Sequence, residues 1–198
     1  MKIIFFGSDP WMSPPVLGAL KKAEHEILLV ISKDKFRTTE DITKRKLQNL
    51  IRSDLDAIVL AAFGPPFLPE KVLDWPKYGA LNAHASLLPR WRGASPVFAA
   101  IKNGDKKTGV TIMKMTKKID WGPILGQREI DILADDNRET LTKKLGIVGG
   151  KLIVETLKKL ENDQIKERRQ PIQSPTLYTH RLTKEDGLID FNKTNEEI

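Results

Sequence analysis

The chain of 198 residues contains no cysteine. This absence excludes disulfide frameworks, thiolate zinc sites and cysteine nucleophiles. Long apolar runs are also missing, because the longest, residues 27–31 and 57–63, are far too short to cross a bilayer. The apolar start of the chain ends at residue 6 and meets a turn sequence, so it does not read as a signal peptide. We therefore expect a cytoplasmic protein that does not associate with membranes.

Positive charge is in excess, since 33 Lys and Arg against 26 Asp and Glu give a net charge of +7. The segment from Arg90 to Lys118 carries the whole excess, with eight basic residues and one acid, Asp105. A weaker basic stretch covers residues 33–52. Concentrated positive charge favours an anionic partner such as nucleic acid or a polyanionic cofactor, although a solvated lysine-rich face is the alternative explanation.

Apolar runs alternate with helical patterns along the first half of the chain. The predicted strands are residues 2–6, 26–31, 57–62 and 79–84, and the predicted helices are residues 14–22 and 39–52. Strands that alternate with helices indicate β-α-β units and a parallel sheet. In such open sheets, ligands bind beyond the carboxyl ends of the strands.

The second half of the chain adds alternating patterns typical of antiparallel strands, at residues 108–115 and 124–130. The predicted fold class is therefore α/β, with a mostly parallel central sheet, antiparallel additions and flanking helices. We expect one catalytic domain over residues 1–165. Residues 166–198 are expected to be an extended polar segment that begins a linker and forms no second domain.

Two further helix starts are predicted from their capping residues. Ser95 followed by Pro96 indicates a serine cap with proline in the first turn. A long amphipathic helix is predicted for residues 136–160, with Asp136 and Glu139 at capping-box spacing.

Several common catalytic motifs are absent. The turn at residues 7–10 lacks the second and third glycines of the dinucleotide-binding fingerprint, and no P-loop occurs. No second histidine follows His25 by four residues, which excludes a zincin motif. We expect His25 and His180 to be plain surface residues.

The stretch LNAHASLLPRWRG, residues 81–93, concentrates polar side chains at the end of a predicted strand. Asn82 and His84 are two residues apart, so their side chains point to the same face. An amide donor and an imidazole on one face can bind one carbonyl oxygen and move a proton. Trp91 lies between two arginines and could stack on an anionic, ring-bearing ligand. The alternative is a strand-end turn with a satisfied core histidine.

Asp120 lies between two lysines and a Gly-Pro turn. A carboxylate in a constrained loop can orient an imidazole and favour its charged form. The alternative is an ordinary turn aspartate.

Three stretches together resemble the catalytic domain of the methionyl-tRNA formyltransferases: NAHASLLPRWRGA at 82–94, TGVTIMKM at 108–115 and DWGPIL at 120–125. The wider group includes glycinamide ribonucleotide transformylase and the sugar N-formyltransferases. Residues 3–8 resemble the first strand of this group, and residues 178–191 resemble the segment after the domain. The resemblance therefore spans nearly the whole chain, and SLLPRWRG favours the tRNA enzyme over its purine relative.

The resemblance implies a Rossmann-like formyltransferase domain. It implies 10-formyltetrahydrofolate as formyl donor, the amino group of methionyl-initiator tRNA as acceptor, no metal, and a role in translation initiation. The catalytic trio of the family falls on Asn82, His84 and Asp120. Its folate-binding segment falls on Ser86, Leu87, Leu88 and Pro89. We expect the acceptor to be bound by basic residues, namely Arg90, Arg92, Lys35, Arg37, Lys44, Arg45 and Lys46.

Three departures from the family pattern concern the acceptor. The resemblance implies a C-terminal β-barrel domain that these 198 residues do not contain, so the chain is a naturally compact member or a part of a longer one. The basic insertion after the second strand is short, and the loop at Asp120 reads DWGP, as in sugar and purine relatives. An N-formyltransferase for a small amine, such as an amino sugar nucleotide, is the alternative function. A non-catalytic RNA- or folate-binding module is the third hypothesis, and the complete trio argues against it.

Overall fold

A computed structural model describes residues 1–32, 54–64 and 68–194 of the chain. Six strands form one sheet: β1 (Lys2–Gly7), β2 (Glu26–Ile31), β3 (Ala57–Ala61), β4 (Ala80–His84), β5 (Lys107–Lys114) and β6 (Ile124–Asp131). The strand order is β2-β1-β3-β4-β5-β6. The first four strands are parallel, and β5 and β6 add to β4 as antiparallel strands. The α/β prediction with a mostly parallel sheet is confirmed.

The central strands are apolar because both faces of the sheet are covered. On β1, Ile3 and Phe5 pack into one apolar cluster, whereas Ile4 and Phe6 pack into a second cluster on the opposite face. Strand β3 is buried along its whole length. The chain adds β2 on one side of β1 and β3 on the other side. A ligand crevice is therefore expected above the carboxyl ends of β1 and β3, next to β4.

The described helices are α1 (Ser13–Lys22), α2 (Glu70–Leu73), α3 (Pro96–Lys102) and α4 (Arg138–Glu161). Helix α2 was not predicted, because its four residues are too few to show helical periodicity. The helix predicted at residues 39–52 lies outside the described residues. No helix in the described ranges is long and apolar enough to cross a membrane.

The predicted caps are corrected by the structure. Asn137, not Asp136, caps α4, because its side chain accepts from the Thr140 N–H at 3.0 Å while Thr140 Oγ1 accepts from the Asn137 N–H. Asp136 instead accepts from the Leu133 N–H and from Lys144. Ser95 does occupy the N-cap of α3, but its side chain makes no capping hydrogen bond, and its N–H donates to Thr179 Oγ1.

Residues 162–194 return along the edge of the domain with little regular structure, apart from a 3-10 turn at Glu185–Gly187. Two backbone bridges attach them: Ile124 pairs with Arg168, and Gly93 pairs with Thr179. This segment therefore contacts the start of β6 and the loop after β4.

Helices α1 and α4 pack closely because glycines of α4 face α1. A methyl group added at Gly150 would lie 2.8 Å from Ala19 Cβ and 3.0 Å from the Pro15 carbonyl oxygen. Gly18, in the exposed part of α1, has no neighbour within 4 Å of its added Cβ. Alanine substitutions at the two positions therefore distinguish the effect of helix propensity on stability from the effect of packing.

We expect Gly18→Ala to raise the free energy of unfolding by up to about 1 kcal/mol, through helix propensity alone. Gly150→Ala should lower it by roughly 1 to 2 kcal/mol, because overpacking costs about 1 to 3 kcal/mol and exceeds the same propensity gain. Urea unfolding of both variants measures these values. Equal stabilisation by the two substitutions would contradict the close contact between α1 and α4.

Candidate active site

Strand β4 places Asn82 and His84 on one face of the sheet. The alternate residues Leu81 and Ala83 point to the other face, where they pack into the apolar core with α1 and α4. Asn82 is half-buried between Leu60 of β3 and Met113 of β5, and within the described residues its amide has no hydrogen-bonding partner. The amide is therefore free to donate to a substrate oxygen.

His84 is buried at the end of β4 and faces two different groups. Its Nε2 lies 3.0 Å from the carbonyl oxygen of Trp91, and its Nδ1 lies 3.7 Å from Asp120 Oδ1. Because a carbonyl oxygen only accepts, the first contact assigns a proton to Nε2. The second distance is longer than a hydrogen bond, so Nδ1 retains room for a third group.

Asp120 is buried, and the loop after β4 holds its carboxylate in place. Its Oδ2 accepts from the Gly93 N–H at 2.8 Å, which turns Oδ1 toward His84. The backbone of Asp120 is left-handed, with φ of 54°. That conformation costs a non-glycine residue about 1 to 3 kcal/mol and persists only where neighbouring contacts determine it.

Gly93 is required at its position for two reasons. Its φ is 110°, a region that side chains disfavour, and an added Cβ would overlap the Thr179 carbonyl oxygen. The close approach lets Gly93 donate to Asp120 while it pairs with the returning C-terminal segment. The structure thus brings Asp120 to 3.7 Å from His84, and the role of Asp120 in orienting the imidazole stays a prediction.

The predicted folate-binding residues form the loop directly after β4. Ser86 and Leu88 are buried, whereas Leu87 and Pro89 are half-buried and offer apolar surface. The hydroxyl of Ser86 donates to the Arg90 carbonyl at 2.6 Å, so it shapes the loop. The contact of these four residues with folate stays a prediction.

Two residues that the sequence analysis missed hold this loop. Thr111 of β5 donates to the Ser86 carbonyl and accepts from the Leu88 N–H. Gln127 of β6 donates to the Leu88 carbonyl and to Thr111 Oγ1. Thr111 lies in one of the family-like stretches, but Gln127 carried no local signal, because only the antiparallel register brings it opposite Thr111.

Arg90 forms an ion pair with Asp105, the one acidic residue of the basic segment 90–118. Its guanidinium donates to both carboxylate oxygens, at 2.9 and 2.5 Å, and lies 4.7 Å from the centre of the Trp91 ring. The hydrogen bond to Asp105 raises the pKa of Arg90. Burial opposes the ionisation of Asp105, but hydrogen bonds from Arg90, Trp91 and Asn103 still lower its pKa. The negative charge of Asp105 thus offsets the positive charge with which Arg90 would bind the substrate that accepts the formyl group.

Arg92 does not take the predicted role of acceptor contact. Its side chain is 1% exposed, and its guanidinium lies 3.7 Å from the Trp121 ring centre. It donates to Gln170 Oε1 and to the carbonyls of Asp120 and Pro171. Burial lowers the pKa of Arg92. Because oxygen atoms of the protein surround the guanidinium, it cannot reach a phosphate of the substrate that accepts the formyl group. The prediction for Arg92 is therefore corrected.

The other predicted acceptor contacts, Lys35, Arg37, Lys44, Arg45 and Lys46, lie outside the described residues. Lys117 and Lys118 are exposed and flank the Asp120 loop. Lys118 Nζ lies 3.5 Å from the centre of the Trp121 ring, and Lys117 lies 3.5 Å from Glu70. Positive charge therefore does border the site.

The two remaining histidines differ from each other. His180 is exposed, as predicted, and pairs with Asp186 at 3.0 Å. His25 is half-buried, contrary to the prediction, because it packs beside the chain start at Met1, and burial lowers its pKa. Over the described ranges, no group of three or more histidine or acidic side chains could hold a metal ion.

The chain is similar to known proteins over its whole length. A family model described as formyl transferase matches residues 1–157. The methionyl-tRNA formyltransferase of Enterococcus faecalis is 38% identical over 222 residues, which cover 100% of this chain and 70% of that protein.

Two solved structures share the fold. The methionyl-tRNA formyltransferase from Clostridium thermocellum has a TM-score of 0.69 at 21% identity, covering 100% of this chain and 79% of that one. The formyltransferase PseJ from Anoxybacillus kamchatkensis, in complex with UDP-4,6-dideoxy-4-formamido-L-AltNAc and tetrahydrofolate, has a TM-score of 0.68 at 21% identity. That match covers 94% of this chain and 88% of the PseJ chain.

Proposed function

Since the chain belongs to the methionyl-tRNA formyltransferases of the formyl transferase family, we propose that it transfers the formyl group of 10-formyltetrahydrofolate to the amino group of methionyl-initiator tRNA. One observation carries the proposal. The amide of Asn82, which has no partner in the part of the chain that the structure describes, shares a sheet face with His84, whose Nδ1 lies 3.7 Å from the Asp120 carboxylate. An amide and an imidazole thus lie on one face of β4, and a carboxylate lies beside the imidazole.

The arrangement suits attack by an amine on a formyl carbon. A C–N bond forms to the amine, and negative charge develops on the formyl oxygen. The bond between the carbon and N10 of the donor then breaks, and the proton released by the amine is returned to N10. Catalysis requires donors aimed at the oxygen and a group that accepts the proton of the amine.

Asn82 is the donor to the developing negative charge, because its amide has no competing partner within the described residues. A protonated His84 is the second donor, through the nitrogen that faces Asp120. Asp120 orients the imidazole, offsets its charge and assists proton removal from the amine. The buried position of His84 and Asp120 strengthens these interactions relative to water.

The formyl donor, 10-formyltetrahydrofolate, suits the loop after β4. The half-buried Leu87 and Pro89 offer an apolar edge for a flat ring system, and hydrogen bonds with Thr111 and Gln127 hold the loop in place. We infer that this edge holds the folate ring and presents its formyl group to the trio.

A small amine, such as an amino sugar nucleotide, is the second candidate acceptor. The loop sequence Asp120-Trp121-Gly122-Pro123 favours it, because this form resembles the sugar and purine relatives. In the structure the loop is compact, since Gly122 packs directly on the Lys114 carbonyl. Charge favours the tRNA, because exposed lysines flank the same loop.

The acceptor is decided by product analysis. With formyl-folate present, charged initiator tRNA should be formylated, and a sugar-nucleotide amine should not. The apparent affinity for the tRNA should fall about tenfold between 50 and 200 mM salt if two phosphates are neutralised. Formylation of the sugar alone, or a response to salt that is flat, would overturn the choice of tRNA.

Replacing His84 by alanine should lower turnover about a hundred- to a thousandfold, because one donor to the reacting oxygen is lost. Folate binding, measured by fluorescence quenching, should stay close to that of the wild type. His180→Ala is the matched control, since His180 is exposed and pairs only with Asp186 among the described groups. Transfer at the wild-type rate by His84→Ala would refute the catalytic assignment.

A further inference from the structure

Gln170 lies beyond residues 1–157, in the segment that returns after α4. The neighbouring Arg168 is fixed to the start of β6, because Ile124 donates to its carbonyl at 2.8 Å and accepts from its N–H at 2.9 Å. This bridge brings Gln170 to the loop that carries Asp120.

The amide of Gln170 is fully used in this position. Its Nε2 donates to the Asp120 carbonyl at 2.9 Å and to the Gly122 carbonyl at 2.8 Å. Its Oε1 accepts two hydrogen bonds from Arg92, at 3.0 and 2.7 Å. One side chain therefore joins the turn after Asp120 to the buried Arg92 in the loop after β4.

Arg92 completes the same network from the other side. Its Nε also donates to the Asp120 carbonyl, at 3.2 Å, and its guanidinium lies over the Trp121 ring. The carbonyl of Asp120 thus receives donors from two distant parts of the chain. These contacts counter the unfavourable left-handed backbone at this residue.

We propose that Gln170 is a positioning residue for formyl transfer, which holds the Asp120 carboxylate against His84 by fixing the backbone of the Asp120 turn. The inference rests on the proposed function of the site. Gln170 acts through Asp120 and touches no reacting group. Loss of its two donated hydrogen bonds lets the turn relax, so Oδ1 of Asp120 moves away from Nδ1 of His84.

Two variants test the role. Gln170→Ala removes both halves of the amide. Gln170→Glu keeps the size and the acceptor for Arg92, but its carboxylate cannot donate to the carbonyls of Asp120 and Gly122. Both should lower kcat about ten- to a hundredfold, because a small misplacement of a catalytic group has effects of this size. The KM values for folate and acceptor should change less than about threefold, since the amide of Gln170 is occupied by protein partners. Gln164→Ala, at an exposed position before the bridge, is the control.

Crystal structures of both variants supply a readout that does not depend on transfer. The separation of His84 Nδ1 and Asp120 Oδ1 should exceed the 3.7 Å of the wild type. A wild-type kcat in Gln170→Glu, or an unmoved Asp120 in either variant, would overturn the positioning role. Loss of the folded state in both variants, measured by thermal unfolding, would also overturn it, because a smaller folded fraction lowers the apparent kcat without changing either KM. Inactivity of the wild type itself refutes the proposed function instead.

Discussion

The carboxylate of Asp120 bonds to the Gly93 backbone through one oxygen and faces the His84 imidazole through the other. The rest of the site depends on this double contact, because it fixes the loop after β4 and the turn before β6 relative to each other. His84 in turn bonds to the Trp91 carbonyl, two residues before Gly93. The imidazole and the carboxylate are therefore both hydrogen-bonded to the backbone of the loop after β4, at residues two apart.

The scaffold delivers these groups through ordinary sheet geometry. Alternation along β4 turns Leu81 and Ala83 into the core and leaves Asn82 and His84 on the opposite face. The change from parallel to antiparallel pairing at β4 and β5 then lets Thr111 hold the loop after His84. The C-terminal segment also contacts the site, since Thr179 packs on Gly93 and Gln170 donates a hydrogen bond to the Asp120 turn.

Much of this was predictable from local patterns. The apolar runs predicted the strands to within a residue or two, because period and length are properties of short segments, and the spacing of Asn82 and His84 predicted their common face. The cap of α4 was misplaced by one residue, since Asp136 and Asn137 are both good capping residues and only tertiary contacts choose between them. Arg92 was assigned to the acceptor because an arginine beside tryptophan gives no sign of burial. Gln170 carried no signal, because its partners are distant in the chain.

The central claim is that the charge of Asp120, placed against His84, drives formyl transfer. Asp120→Asn tests it most directly, because the amide oxygen can still accept from the Gly93 N–H while the negative charge is lost. The account predicts a folded protein with a thermal unfolding midpoint near that of the wild type and a turnover lower by roughly a hundredfold or more. Formyl transfer at the wild-type rate by this variant would contradict it.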